Sequence, residues 1–183
     1  MALAFSENPS VTVAGVPSLG EEVSAFLLRE AELLDDLKER EWLTEMVSRD
    51  IIYQVPIRET VERARGKGFQ EKAFHLDENY GSLNTRVARG ETKYAWAEDP
   101  PSRVRHFITN IRITNPHPDT PDEIAVKSNF LIFRTRVDEV VPHLLAGERK
   151  DVLRREDGEL RLLKRMVHLD LTAIGTHNFS LFF

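Results

Sequence analysis

The sequence predicts an α+β fold, with helices early in the chain and a curved antiparallel sheet packed on them. Three observations carry that reading. A capped, amphipathic segment begins at Ser18. From Arg103 onward, long runs alternate apolar and polar residues. Asp157-Gly158 sits between two such runs. Helices followed by consecutive strands and tight turns favour an antiparallel sheet over a doubly wound parallel one.

Residues 1–18 read as a flexible N-terminal arm, because Asn8-Pro9-Ser10 and Gly15-Val16-Pro17 are turn chemistry. A single domain is expected over 19–183. Ser18-Leu19-Gly20-Glu21 has capping-box spacing. The helix behind it puts Val23, Phe26, Leu27, Ala31 and Leu34 on one face, with Glu22, Arg29 and Glu32 outside. Lys38-Glu39-Arg40-Glu41 marks a solvated bend, and Trp42, Leu43, Met46 and Val47 predict a short second helix.

The first strand is expected over 50–58, where Ile51, Tyr53 and Val55 alternate with Ile52 and Gln54. Pro56 lacks an N–H, so it belongs at an edge or a bulge. Arg63 to Gly68 reads as a loop. Asp77 is the expected cap of a third helix, with Tyr80, Leu83 and Val87 on one face and Gly90 as its stop.

After the Pro100-Pro101 loop, strands are expected over 103–114, 123–137, 141–155 and 159–171. Asn115-Pro116-His117-Pro118-Asp119 forms a turn, and Asp157-Gly158 is a strong two-residue hairpin signal. Strands this long twist and curve. The apolar end, Phe179 with Leu181, Phe182 and Phe183, calls for a groove or an interface. There is no internal repeat and no low-complexity segment.

The 183 residues suffice for a real core, since a chain of this size buries roughly 70% of its unfolded surface. Hydrophobic residues make up 41% and charged residues 30%, the balance of a globular protein. A net charge of −5 gives nucleic acid no basic face to meet. The absence of cysteine removes disulfides, thiolate zinc, iron–sulfur ligation and a cysteine nucleophile, and fits a cytoplasmic chain. The first twenty residues lack the pattern of a secretory signal, and no apolar run has membrane-spanning length.

Few residues invite chemistry. His75-Leu76-Asp77 and His168-Leu169-Asp170 each offer two legs of a two-histidine, one-carboxylate iron site. Asp77, however, is accounted for as a cap, and His168 falls on a strand face shared with Leu160, Leu162 and Met166. Tyr53, His106, His168 and Asp170 could also converge inside a curved sheet, where a histidine and a carboxylate suit proton abstraction beside a carbonyl. That would make the chain a free-standing isomerase or dehydratase, or a small-molecule binder. No glycine-elbow serine is present, and Gly66-Lys67-Gly68 lacks the spacing of a phosphate loop. Arg149, Lys150, Arg154 and Arg155 form either a solvated hairpin or a protein–protein edge.

Four segments resemble one family in order. They are Glu41-Trp42-Leu43 leading into 50–58; the stretch Trp96-Ala97-Glu98-Asp99-Pro100-Pro101-Ser102-Arg103-Val104-Arg105-His106-Phe107 with Thr109-Asn110; Gly147 to Arg155 with Gly158, Lys164-Arg165 and Leu169-Asp170; and Asn178-Phe179-Ser180-Leu181-Phe182-Phe183. Together they are similar to the small (β) subunits of bacterial aromatic-ring-hydroxylating dioxygenases, with most likeness to the biphenyl, benzene, toluene and cumene branch.

The resemblance implies a cone-shaped α+β fold of the cystatin-like, nuclear-transport-factor type. It implies a large (α) subunit as partner, three of each, with ferredoxin and reductase delivering NADH-derived electrons. The Rieske [2Fe–2S] cluster and mononuclear Fe(II) are expected in that large subunit. A Rieske centre needs two cysteines, and this chain has none. The complex would convert an arene and O2 to a cis-dihydrodiol. No catalytic, cofactor or metal residue is transferred to this chain, and neither nucleic acid nor membrane is an expected partner. The arginine-rich hairpin, the Pro100-Pro101 loop and the terminal phenylalanines are the expected interface contributors.

Overall fold

The computed structural model describes residues 17–92, 100–114, 120, 122–174 and 181–183. The arm expected before Pro17, the 115–119 turn, Trp96 to Asp99 and Asn178 to Ser180 lie outside them.

Helix α1 spans Leu19–Asp35 and begins with the predicted capping box: Ser18 Oγ accepts from Glu21 N–H at 3.3 Å, while Ser18 N–H donates to Glu21 at 2.8 Å. Its predicted apolar face is buried, joined by Leu33 and by Glu30. Leu37 takes a left-handed φ of 58° just past the helix, and Lys38 N–H closes on the Leu33 carbonyl at 2.8 Å. Helix α2 covers Glu39–Glu45. The charged run is therefore its first turn, not a bend, because Glu39 and Glu41 favour the positive end of the helix dipole.

Strand β1 runs Val47–Arg58 and strand β2 runs Phe69–Glu78. The sequence reading lacked β2. Only Leu76 of its residues is fully buried, so no clean period-two signal arises. The predicted cap also moves. Asp77 lies within β2 and accepts from Gln54 Nε2 at 2.9 Å, while Asn79 caps helix α3, Tyr80–Gly90, by pairing with Ser82.

Strands β3 (Arg103–Thr114), β4 (Glu123–Thr135), β5 (His143–Glu156) and β6 (Glu159–Leu169) follow as an antiparallel meander. Asp157 and Gly158 both adopt positive φ, 52° and 92°, as the predicted two-residue hairpin requires. The sheet order is β2-β1-β6-β5-β4-β3, and β1 pairs with β6 in parallel. The sheet is thus mixed, not antiparallel throughout. The β1–β2 pair and the β3–β6 meander are two antiparallel blocks joined along one parallel seam.

Three irregularities bend it: Pro56 in β1, Asn110 at φ 53° in β3, and a register shift between Val152 and Leu153 against β6. The concave face receives α1 and the other helices over a core that includes Leu27, Trp42, Leu43, Tyr53, Ile132 and Leu162. No helix among the described residues is long and apolar enough to cross a membrane.

Gly147 sits on β5 between Phe130 and Leu169, and a Cβ there would overlap the His168 carbonyl. Gly147→Ala is expected to cost about 1–3 kcal/mol of stability through overpacking, read as a lower urea midpoint at unchanged slope.

Candidate functional site

The face of the sheet that meets the helices holds buried charge. Arg149 and Asp151 are two apart on β5 and point to the same side. Asp151 pairs across the sheet with Arg165 on β6, which pairs in turn with Tyr53 on β1. Glu30 comes down from α1. All four charged side chains are at most 2% exposed.

Arg165 is the hub. It donates to Asp151 from Nε at 2.9 Å and from Nη2 at 2.8 Å. It also donates to Glu30 from Nη1 at 2.8 Å and from Nη2 at 2.7 Å. Arg149 adds a contact to Glu30 at 3.1 Å and one to Ser128 at 3.3 Å, and Trp42 Nε1 donates to Glu30 at 3.0 Å. Burial favours a neutral Glu30, yet the charges of Arg165 and Arg149 and their hydrogen bonds hold its carboxyl below the ordinary 4.5. Burial, with the neighbouring Arg165 charge, lowers Arg149. Burial acts against Arg165 too, but Asp151 and Glu30 keep it well above the usual value.

The two last residues seal this cluster. Tyr53 Oη accepts from Phe183 N–H at 2.7 Å and donates to the Phe183 carbonyl at 3.2 Å, a carbonyl that also receives Arg165. Burial pushes the Tyr53 phenol up to about 12. Phe182 packs on Trp42 with ring centroids 4.7 Å apart, and its carbonyl lies 3.1 Å from His106 Nε2. The other ring nitrogen of His106 lies 2.7 Å from Asp35. Phe182 and Phe183 therefore fill a groove in their own chain.

Of the four residues expected to converge, Tyr53 and His106 do so, on Phe182-Phe183. His168 and Asp170 do not. The extra residue at the β6 irregularity, Leu163, shifts the parity of the strand, so Leu162, Leu163 and Arg165 are all buried. His168 passes to the other face, where its ring stacks on Phe69 at 4.2 Å; burial and the Lys150 charge lower its pKa. Asp170 is mostly exposed and accepts from Arg58 at 2.9 Å. His75 and Asp77 lie on β2, and no group of three or more metal-ligating side chains forms among the described residues. A surface hollow of about 950 Å³ between α1, Met46 and Leu160 touches none of the four.

The arginine-rich hairpin also divides. Arg149 is core. Arg154 donates to Asp50 at 2.7 Å and to Ser48 at 3.0 Å, and Arg155 grips Glu22 through two bonds of 2.8 Å. These side chains are spent inside the chain. Glu30 was missed by sequence reading, although it lies three and four positions from Leu27 and Phe26 on the apolar helix face. Arg149 and Asp151 likewise share the strand parity of Leu145 and Leu153.

A family model described as "Ring hydroxylating beta subunit" matches residues 29–175. Among solved structures, naphthalene 1,2-dioxygenase with indole bound in the active site matches with 27% identity and a TM-score of 0.80, covering 94% of this chain and 89% of that one. The beta subunit of the benzoate 1,2-dioxygenase from Burkholderia mallei matches with 21% identity and a TM-score of 0.66, covering 85% and 93%. A scytalone dehydratase candidate from Novosphingobium aromaticivorans matches with 13% identity and a TM-score of 0.60, covering 86% and 87%. The last two likenesses establish the fold alone, an α+β arrangement of helices on a curved sheet that a benzoate dioxygenase beta subunit and a dehydratase candidate both show.

Removing one member of a buried ion cluster strands the others. Glu30→Ala is expected to cost about 3–5 kcal/mol in urea unfolding. The depressed Glu30 carboxyl also sets a sign: its contribution is complete above its ordinary 4.5 and drains away as pH falls through its lower folded value. The urea midpoint is therefore expected to fall between about pH 6 and about pH 3, and to fall less steeply in Glu30→Gln.

Proposed function

The chain belongs to the ring-hydroxylating beta-subunit family, and from that premise we propose that it is the assembly subunit of the terminal oxygenase of a multicomponent aromatic-ring dioxygenase. The oxygenase adds both atoms of O2 to an aromatic hydrocarbon, giving a cis-dihydrodiol. Electrons come from NADH through reductase and ferredoxin components in the cytoplasm. Three large and three small subunits make the particle. The Rieske [2Fe–2S] cluster and mononuclear Fe(II) reside in the large subunit and supply the electron transfer and oxygen chemistry there. This chain, which has no cysteine, contributes no catalytic, cofactor or metal ligand.

The observation that carries the proposal is the family match over residues 29–175. The filled concave face agrees with it. A free-standing isomerase or dehydratase needs an open pocket with an acid–base pair, whereas here Tyr53 and His106 bind the chain's own end and His168 faces away. The single α+β domain expected over 19–183 serves as the body that spaces the large subunits. The greater likeness to the biphenyl, benzene, toluene and cumene branch points to a hydrocarbon of that class as substrate.

The chain purified with its oxygenase partner is expected to run at hexamer mass with about three irons per large–small pair, one cluster plus one mononuclear iron. An iron-free homo-oligomer that retains no large partner overturns the proposal. Turnover of biphenyl, benzene, toluene and cumene against naphthalene and benzoate tests the branch.

A further inference from the structure

Apolar exposure on this molecule is concentrated. Of the eleven large hydrophobic residues exposed among the described residues, seven lie at one end of β3–β4–β5. Four are on the outer sheet face and are joined by register. Phe107 sits opposite Leu131, and Phe133 sits opposite Leu144. The other three, Val137, Val140 and Val141, are in the β4–β5 connection, where Val140 is 92% and Val141 77% exposed. Monomers rarely leave so contiguous an apolar surface in water.

The connection is also held in shape. Arg103 donates to the Val137 carbonyl, and the Arg136 and Glu139 backbones close a turn at 3.0 Å. Glu139 Oε2 accepts from Arg136 N–H at 3.0 Å. Val137 sits at φ 51°, a conformation a β-branched residue adopts only under constraint. A fixed apolar tip loses little entropy on docking.

We propose that this surface, the outer face at Phe107, Leu131, Phe133 and Leu144 with the Val140-Val141 tip, is where the large oxygenase subunit docks. The inference rests on the assembly-subunit reading and adds to it the surface. A second copy of this chain fits less well. Strand β3 carries Arg103, Arg105 and Arg112 and no carboxylate of its own; Arg105 meets Asp35 at 3.2 Å and Arg112 meets Glu148 at 3.4 Å, but both side chains remain more than half exposed, so a twofold pairing across this edge sets arginine against arginine. A head-to-tail ring needs a second apolar surface. The four remaining exposed hydrophobics, Leu19, Leu28, Leu37 and Ile52, are dispersed over α1, the α1–α2 turn and β1. The chemistry that complements this patch is an apolar surface flanked by carboxylates on a different chain.

The test uses the full chain co-expressed with its large subunit. Three forms are compared: the parent, the double variant Val140→Asp/Val141→Asp, and Ile52→Asp as an exposed apolar site outside the patch. Native mass gives stoichiometry, and titration of separated subunits gives affinity. The double variant is expected to bind the large subunit at least about tenfold more weakly, while its thermal unfolding and that of Ile52→Asp match the parent. Parent-like assembly of the double variant overturns the proposal. So does a double variant that keeps the large subunit but loses association with its own copies, since the occupant is then a second copy. A parent chain that binds no large subunit refutes the assembly reading itself, an outcome distinct from either.

Discussion

Arg165 is buried completely and grips two carboxylates at once, Glu30 from α1 and Asp151 from β5. Burial of this kind imposes a constraint more than it confers stability. Each ion loses its water, and only a complete set of partners offsets the loss. The partners come from five other elements: α1 gives Glu30, α2 gives Trp42, β1 gives Tyr53, β4 gives Ser128, and β5 gives Arg149 and Asp151. A one-residue slip of β5 against β6 would carry Arg165 away from Asp151 and turn a buried charge toward the helices without its counter-ion. The cluster therefore selects one register among the several that the long strands permit.

That selection explains which parts of the fold were legible. Strands β3 and β5, helix α3 and the Asp157-Gly158 turn announce themselves through periodicity and turn chemistry, which are local. Strand β2 does not, because its residues are half-buried on both sides and no alternation survives. The parallel β1–β6 seam is invisible for another reason: pairing between strands far apart in sequence leaves no local mark. The irregularity at Leu163 did the most damage to the site reading. One extra residue reverses the parity of everything beyond it, so His168, placed with Leu160 by simple alternation, is on the other face.

The filled interior bears on the division of labour between this chain and its partner. A curved sheet packed on helices can enclose a pocket, and an open pocket is what acid–base chemistry uses. Here Phe182, Phe183 and four mutually neutralising charges are buried in that space. A carboxylate gripped by two guanidinium groups is held ionised and has no free lone pair aimed at a ligand, so it is a poor general acid or base. What the interior gives up in open space it returns as rigidity, which suits the assembly role proposed for the chain.

Arginine makes the same point at three depths. Arg149 and Arg165 are internal struts. Arg154 and Arg155 lock the hairpin to β1 and α1 from a half-exposed position. Arg103 and Arg105 stand at the margin of the exposed apolar patch. Composition treats the six alike, and a basic run in sequence suggests one role for neighbours such as Arg149 and Arg154. Strand parity separates Arg149 from Arg154, and position separates it from Arg155. Arg149 shares the side of Leu145 and Leu153, Arg154 faces the other way, and Arg155 keeps Arg149's parity but lies at the exposed hairpin end. A charged residue set at even spacing between two buried leucines of a central strand, as Arg149 and Asp151 are between Leu145 and Leu153, is therefore better read as a cluster member awaiting its counter-ion than as surface. Glu30, alone among apolar neighbours on α1, is the counter-ion that such a reading would seek.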